Sequence, residues 1–258
     1  MLKQLRIDLK RISNPLRAQH SKRFFKTGPG DYGEGDIFLG PSVPECRAIA
    51  RRYKDLPFSD VTKLLRSRYH EERLIALFIL VYKFQAGDSN QKEKIYNFYL
   101  KSTKYINNWD LVDSSADKIV GAYLLDQRSD SMRSREAGDR PKKSARVRPF
   151  QSPEILLKLA KSPNLWERRI AIISTYKFIK NGQCNTTLQI AKPLLSDKHD
   201  LIHKAVGWML REVGKHCSEK ILTEFLNLNY RSMPRTALRY AIEHFPEPKR
   251  RQYIDGKI

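Results

Sequence analysis

The apolar positions of this chain recur at steps of three and four, not two, which is the spacing of helix faces. Trp109 to Leu125 (WDLVDSSADKIVGAYLL) sets Leu111, Val112, Ala116, Ile119, Val120 and Tyr123 on one side of a helix. Glu72 to Phe84 (ERLIALFILVYKF) is apolar enough for a buried helix, and Trp166 to Ile179 and His203 to Val213 follow the same pattern. No run of alternating Val, Ile and Thr bounded by turns predicts a strand. Breaks fall at Pro57, Gly87-Asp88, Ser162-Pro163, Asn181-Gly182, Asp197-Lys198 and Met233-Pro234, where Gly, Pro and Asn interrupt helices. The segments between them are mostly 10 to 18 residues long, a length that suits an all-α array of helix hairpins.

The hairpins repeat. Arg169-Ile170-Ala171, Lys204-Ala205-Val206 and Arg235-Thr236-Ala237 each place a basic residue just ahead of a small one, with their alanines 34 and 32 residues apart. Ala76 and Ala116 extend the series at a step of 40. The step of 55 from Ala116 to Ala171 becomes regular if about 20 residues there are an insertion. Two helices per 30 to 40 residues is the period of HEAT or tetratricopeptide solenoids, in one domain over 1–258. The insertion shows in Gln127 to Phe150, with eight basic residues, three acids and almost no apolar residue before Val147. Such a segment cannot bury enough surface to offset its ordering, and is expected to be a flexible basic loop.

Charge narrows the partner. Lys and Arg total 49 against 28 Asp and Glu, so the net charge is 49 − 28 = +21. That calls for a polyanion, with nucleic acid the first candidate. Lys3 to Lys26 alone holds eight basic residues and one acid. The longest apolar run, Leu74 to Tyr82, is far too short to span a membrane. The opening MLKQLRIDLKRIS has no apolar signal core, so a cytoplasmic protein is expected. Cys46, Cys184 and Cys217 are few and widely spaced, which predicts free thiols and neither a disulfide framework nor a zinc ribbon.

Two motifs promise more than they deliver. Gly28-Pro29-Gly30-Asp31-Tyr32-Gly33 spells GxGxxG, but a dinucleotide fingerprint needs a strand before it and a helix opening at it. Here Ser21 to Lys26 reads as a helix end, and Asp31 and Glu34 would repel a pyrophosphate. His199 and His203 share a helix face without a third ligand at a recognisable spacing, which points to hydrogen bonding at a helix start rather than to metal.

The helix faces themselves carry more. Asn107-Asn108-Trp109-Asp110-Leu111-Val112-Asp113 places Asn108 as N-cap and an acid in the first turn. Asp113 lies four residues after Trp109, so carboxylate and indole share a face. Trp166 precedes Arg169 by three, and Trp208 lies between Lys204 and Arg211. All three tryptophans therefore sit beside a charge at equivalent repeat positions, as aromatic platforms on a basic surface would. A tryptophan completing a repeat core fits the same spacing.

The stretches FLGPSVPECR (38–47), NNWDLVD (107–113), NLWERRIAI (164–172), HKAVGWMLRE (203–212) and SMPRTALRYAIEHFP (232–246) resemble those of the AlkD-type DNA alkylation repair glycosylases, in the same order and spacing apart from the insertion. The resemblance covers about Phe38 to Tyr253. It implies a right-handed superhelical solenoid of HEAT-like helix-hairpin repeats whose concave basic groove holds DNA. It also implies a monomer that hydrolyses the N-glycosidic bond of N3- or N7-alkylated purines in double-stranded DNA, with no metal or cofactor. By the same resemblance the catalytic carboxylate is Asp113, flanked by Trp109 and Trp208, and the active-site arginine is Arg169 or its neighbour Arg168. DNA contacts fall to Arg168, Lys204, Arg211, Arg235, Arg239, Arg47, Lys142 and Lys143, with Phe25 or Tyr32 as a further aromatic.

The chemistry suits these residue types. An alkylated purine cation leaves as a neutral base, so the demand is on the oxocarbenium-like sugar. An anionic Asp113 would stabilise that charge and position water, and indole faces would add cation–π attraction. An arginine could hold the adjacent phosphate bidentately. Two competing readings are a HEAT-repeat protein that binds bent or branched DNA without chemistry, and a protein-interaction scaffold. A carboxylate facing phosphates disfavours the first, and the uniformly basic charge disfavours the second.

Overall fold

A computed structural model describes residues 1–127 and 154–258. The insertion from Arg128 onward, with Lys142 and Lys143, lies outside the described residues. These are helical between turns, with one isolated bridge, Ile37 to Tyr69, and no strand. None of their helices is long and apolar enough to cross a membrane. They form two compact units, Met1–Ser115 and Ala116–Ile258.

The first unit comprises α1 (Leu2–Arg11), α2 (Pro15–Phe24), α3 (Val43–Arg52), α4 (Phe58–Leu65), α5 (His70–Ala86), α6 (Ser89–Lys101) and the start of α7 (Trp109–Ala116). Helix α5 is apolar almost all round, so it takes the centre, and α3, α4 and α6 pack on it. Helix starts follow their sequence signals. Ser42 and Glu45 form a capping box on α3, Asn14 caps α2 ahead of Pro15, and Asp88 caps α6. Every break read from the sequence falls between helices.

In the second unit two expected hairpins are α8 (Glu154–Ala160) with α9 (Leu165–Ser174) and α11 (Asn185–Leu194) with α12 (Asp200–His216), while α13 (Glu219–Asn229) and α14 (Arg235–Ala241) each pack on α12. The short α10 (Tyr176–Ile179) and the terminal α15 (Glu247–Asp255) complete it. The second helices α9, α12 and α14 pack in series, and α8 packs on α11. Ala76, Ala116, Ala171, Ala205 and Ala237, on which the repeat was aligned, are all buried.

The structure corrects three details. Trp109 to Leu125 is not one regular helix, because Asp117–Gly121 closes a π turn, with Ala122 N–H donating to the Asp117 carbonyl, before 122–127 resume the α-helix. Trp166 to Ile179 is divided at Thr175. There the Ser174 and Thr175 hydroxyls donate back to the Ile170 and Ile172 carbonyls at 2.6 and 2.7 Å, which bends a helix. Finally, Cys184 and Cys217 form a disulfide, leaving only Cys46 free. They cap the start of α11 and the end of α12, and pairing these helices brings the two ends together.

Close packing in the second unit requires glycine at two points. A Cβ on Gly121 would lie 2.2 Å from the Ser174 carbonyl oxygen, and one on Gly207 would lie 2.5 Å from that of Ala237. Gly207→Ala is therefore expected to destabilise the protein by about 1–3 kcal/mol, although alanine is the better helix former. Urea denaturation checks this, and an unchanged midpoint would mean that α12 and α14 can separate freely.

Candidate functional site

Helix α7 starts from a buried polar anchor. The Asn108 side chain is fully buried, accepts the Trp109 N–H at 2.8 Å and donates to Asp36 at 3.2 Å. Asp110 accepts the Leu111 N–H at 2.8 Å through one oxygen and faces His70 Nε2 at 2.7 Å through the other. The opposite nitrogen, His70 Nδ1, faces Asp36 at 3.0 Å, and Arg73 donates to Asp36 at 2.6 Å. His70, Asp36, Asp110 and Arg73 are all buried. Burial opposes charge on His70, but the Asp110 and Asp36 carboxylates outweigh it and raise the pKa to about 9. Burial likewise pushes Asp36 up, and its His70, Arg73 and Asn108 partners more than reverse that, leaving its carboxyl below the usual value.

Over this anchor stands an aromatic stack. Phe38 lies 4.6 Å from the His70 ring, and Phe25 lies 5.1 Å from Phe38 and 5.0 Å from His70. Trp109 stacks on Phe25 at 5.2 Å and 19°, with the exposed Phe24 edge-on at 5.7 Å. Trp109 and Asp113 are both half-buried, one helical turn apart on the same face of α7. Arg47, in α3, sets its guanidinium 4.1 Å from the centroid of Phe78. Phe25 is half-buried within the stack, and Tyr32 is half-buried in the loop after α2.

In the second unit the tryptophans are not equivalent. Trp166 is core, only 7% exposed, whereas Trp208 is half-buried. The Trp208 indole N–H donates to buried Glu212 at 3.1 Å, and the same carboxylate meets Arg211 at 3.4 Å and His216 at 3.2 Å. Arg211 also pairs with Glu243. Arg169 is 5% exposed and donates to the Leu201 carbonyl at 2.5 Å. Arg168 pairs with Asp197 at 2.6 Å and donates to the Ser162 and Pro163 carbonyls. Lys204 pairs with Asp200 at 2.7 Å. Arg235 and Arg239 are exposed, one turn apart on α14.

The weak motifs resolve structurally. In the GxGxxG loop Asp31 accepts the Gly28 N–H at 3.1 Å and Glu34 accepts that of Gly30 at 2.9 Å, so the loop's own acids occupy amides that a phosphate would need. His199 caps α12, accepting the Leu201 N–H at 3.1 Å, and His203 donates to the Asp197 carbonyl at 2.5 Å. Both serve the helix start, as their spacing suggested. Among the described residues no group of three His, Cys, Asp or Glu side chains is arranged to hold a metal ion.

Sequence reasoning missed the His70–Asp36–Asp110–Arg73 network and Glu212. One signal was present: His70-Glu71-Glu72-Arg73 heads the strongly apolar α5, and all four residues are buried.

A family model described as "DNA alkylation repair enzyme" matches residues 5–136 and 146–245. No match was found among curated proteins. A solved structure described as "Predicted DNA alkylation repair enzyme from Enterococcus faecalis" superposes with a TM-score of 0.63 at 16% identity, over 91% of this chain and 97% of that one. At that identity the likeness establishes a shared fold.

Proposed function

Because this chain belongs to the DNA alkylation repair enzyme family, we propose that it is a glycosylase hydrolysing the N-glycosidic bond of N3- or N7-alkylated purines in duplex DNA. The observation that carries this reading is the pairing of Trp109 and Asp113, half-buried on one face of α7, whose first turn is braced by a buried ion network. The indole offers a π face to a developing sugar cation. Asp113 offers an anion and a site for the attacking water. The leaving base, neutral once detached, needs no metal and little acid catalysis. Trp208 in the second unit is the other aromatic assigned to the substrate. Arg169 and Arg168 are engaged with Leu201 and Asp197, so phosphate contact by either would exchange those partners, whereas Arg235 and Arg239 are exposed for it.

The direct test is release of 7-methylguanine from methylated duplex DNA by the full chain. Release only from Asp113-containing protein supports the reading, and tight binding without release would favour the non-catalytic DNA binder. Binding should weaken steeply with salt. Six or more neutralised phosphates give a log–log slope of roughly −5 or steeper, readable by fluorescence anisotropy. A slope near zero would rule out a backbone-dominated DNA interface.

A further inference from the structure

We propose that His70, held as an imidazolium, is a positioning residue for this site: it fixes the start of α7, and with it Trp109 and Asp113, through Asp110 and Phe25. The proposal rests on the glycosylase reading for what is being positioned, and on the packing of the first unit for how.

The geometry requires two donors from one ring. Nδ1 faces an Asp36 oxygen at 3.0 Å and Nε2 faces an Asp110 oxygen at 2.7 Å. An ionised carboxylate only accepts, and a neutral imidazole has one N–H, so both contacts are satisfied together only by the protonated ring. Asp36 is kept ionised by two more donors, Arg73 and Asn108. Two carboxylates and two cations thus close into a neutral, buried tetrad. The remaining charged or titratable neighbours are engaged elsewhere. Glu71 on α5 accepts the Leu39 and Gly40 N–H groups, and burial pushes the Cys46 thiol of α3 far up, so it stays neutral.

The ring reaches α7 by two routes. One is Asp110, the residue that follows Trp109. The other is Phe25, whose ring lies 5.0 Å from His70 and 5.2 Å from Trp109. When His70 loses its proton, a lone pair faces a carboxylate at hydrogen-bond distance, and either Asp36 or Asp110 must move. Arg73 and Asn108 hold Asp36, so Asp110 yields, and the first turn of α7 yields with it. A displacement of about 1 Å at such a site costs on the order of 10²-fold in rate.

The experiment follows His70, Trp109 and catalysis together in the full chain between pH 6 and 10. The His70 ring titration and the Trp109 indole N–H resonance, assigned by its loss in Trp109→Phe, are read by NMR. Single-turnover release of 7-methylguanine is read alongside. The expected result is one shared midpoint near pH 9, with the release rate falling above it and duplex affinity unchanged. Asp110→Asn should move all three midpoints downward together. His70→Gln should release base on the order of 10²-fold more slowly at pH 7 and lose the alkaline fall. If His70→Gln fails to fold, Asp110→Asn still carries the test. An indole resonance that ignores the His70 titration, or a release rate with no inflection at its midpoint, overturns the proposal. Co-titration of ring and indole in a protein that releases no base would retire the glycosylase reading and leave the positioning standing.

Discussion

Asp113→Asn is expected to slow single-turnover release of 7-methylguanine by about 10²- to 10³-fold at pH 7, with duplex affinity unchanged or slightly raised. This is the range lost when one preorganised group facing transition-state charge is removed. The amide keeps the size and polarity of the carboxylate but not its charge, so the developing sugar cation loses its counter-ion. Ground-state binding moves the other way, because an anion near phosphates is repelled and its neutralisation relieves that. Asp113 lies half-buried on the second turn of α7, outside the buried tetrad, so the variant leaves the tetrad's own hydrogen bonds intact. Wild-type rates in this variant would remove Asp113 from the chemistry.

Asp36→Ala should produce the largest loss of stability, about 3–5 kcal/mol, because it leaves His70 and Arg73 as buried cations with a single carboxylate between them. The same network sets a pH dependence whose sign follows from the raised His70 pKa. The folded value is about 9 against 6.5 for the unfolded chain. Its contribution is therefore complete below pH 6.5 and disappears as the pH rises through 9, amounting to about 3 kcal/mol. Urea denaturation at pH 6 and pH 9.5 reads both effects: the parent should lose stability between these values, and Asp36→Ala should start lower and change less. A parent equally stable at both would show that His70 is not held charged.

The helices and their pairing were legible because they depend on local signals. Pro57, Asp88 and Pro234 stop or start helices wherever they stand, and the buried alanines recur at 32- to 40-residue steps apart from the step of 55 across the insertion. His199 and His203 were read correctly because their partners lie within six residues. The tetrad was hidden for the opposite reason: His70 meets partners 34 and 40 residues away, and no periodicity reports which helix ends face each other. Depth was hidden too. Trp166 and Trp208 carry similar charged neighbours in sequence, yet one fills the core and the other is half-buried. Spacing assigns a residue to a face of its helix, and only the packing of neighbouring helices decides how far that face is covered. The Cys184–Cys217 pair, 33 residues apart, escaped for the same reason.

The π turn at Asp117–Gly121 changes how related chains should be aligned with this one. It accommodates one more residue than a regular helical turn. A homologue shorter by one residue here would close the turn as ordinary α-helix, with no loop to absorb the difference. The wider turn absorbs the extra residue where it stands, so every later position on that helix would keep its side of the axis. Gly121 would keep its approach to the Ser174 carbonyl. A one-residue gap at this point would therefore mark the loss of the turn alone, with the helix beyond it facing as it does here.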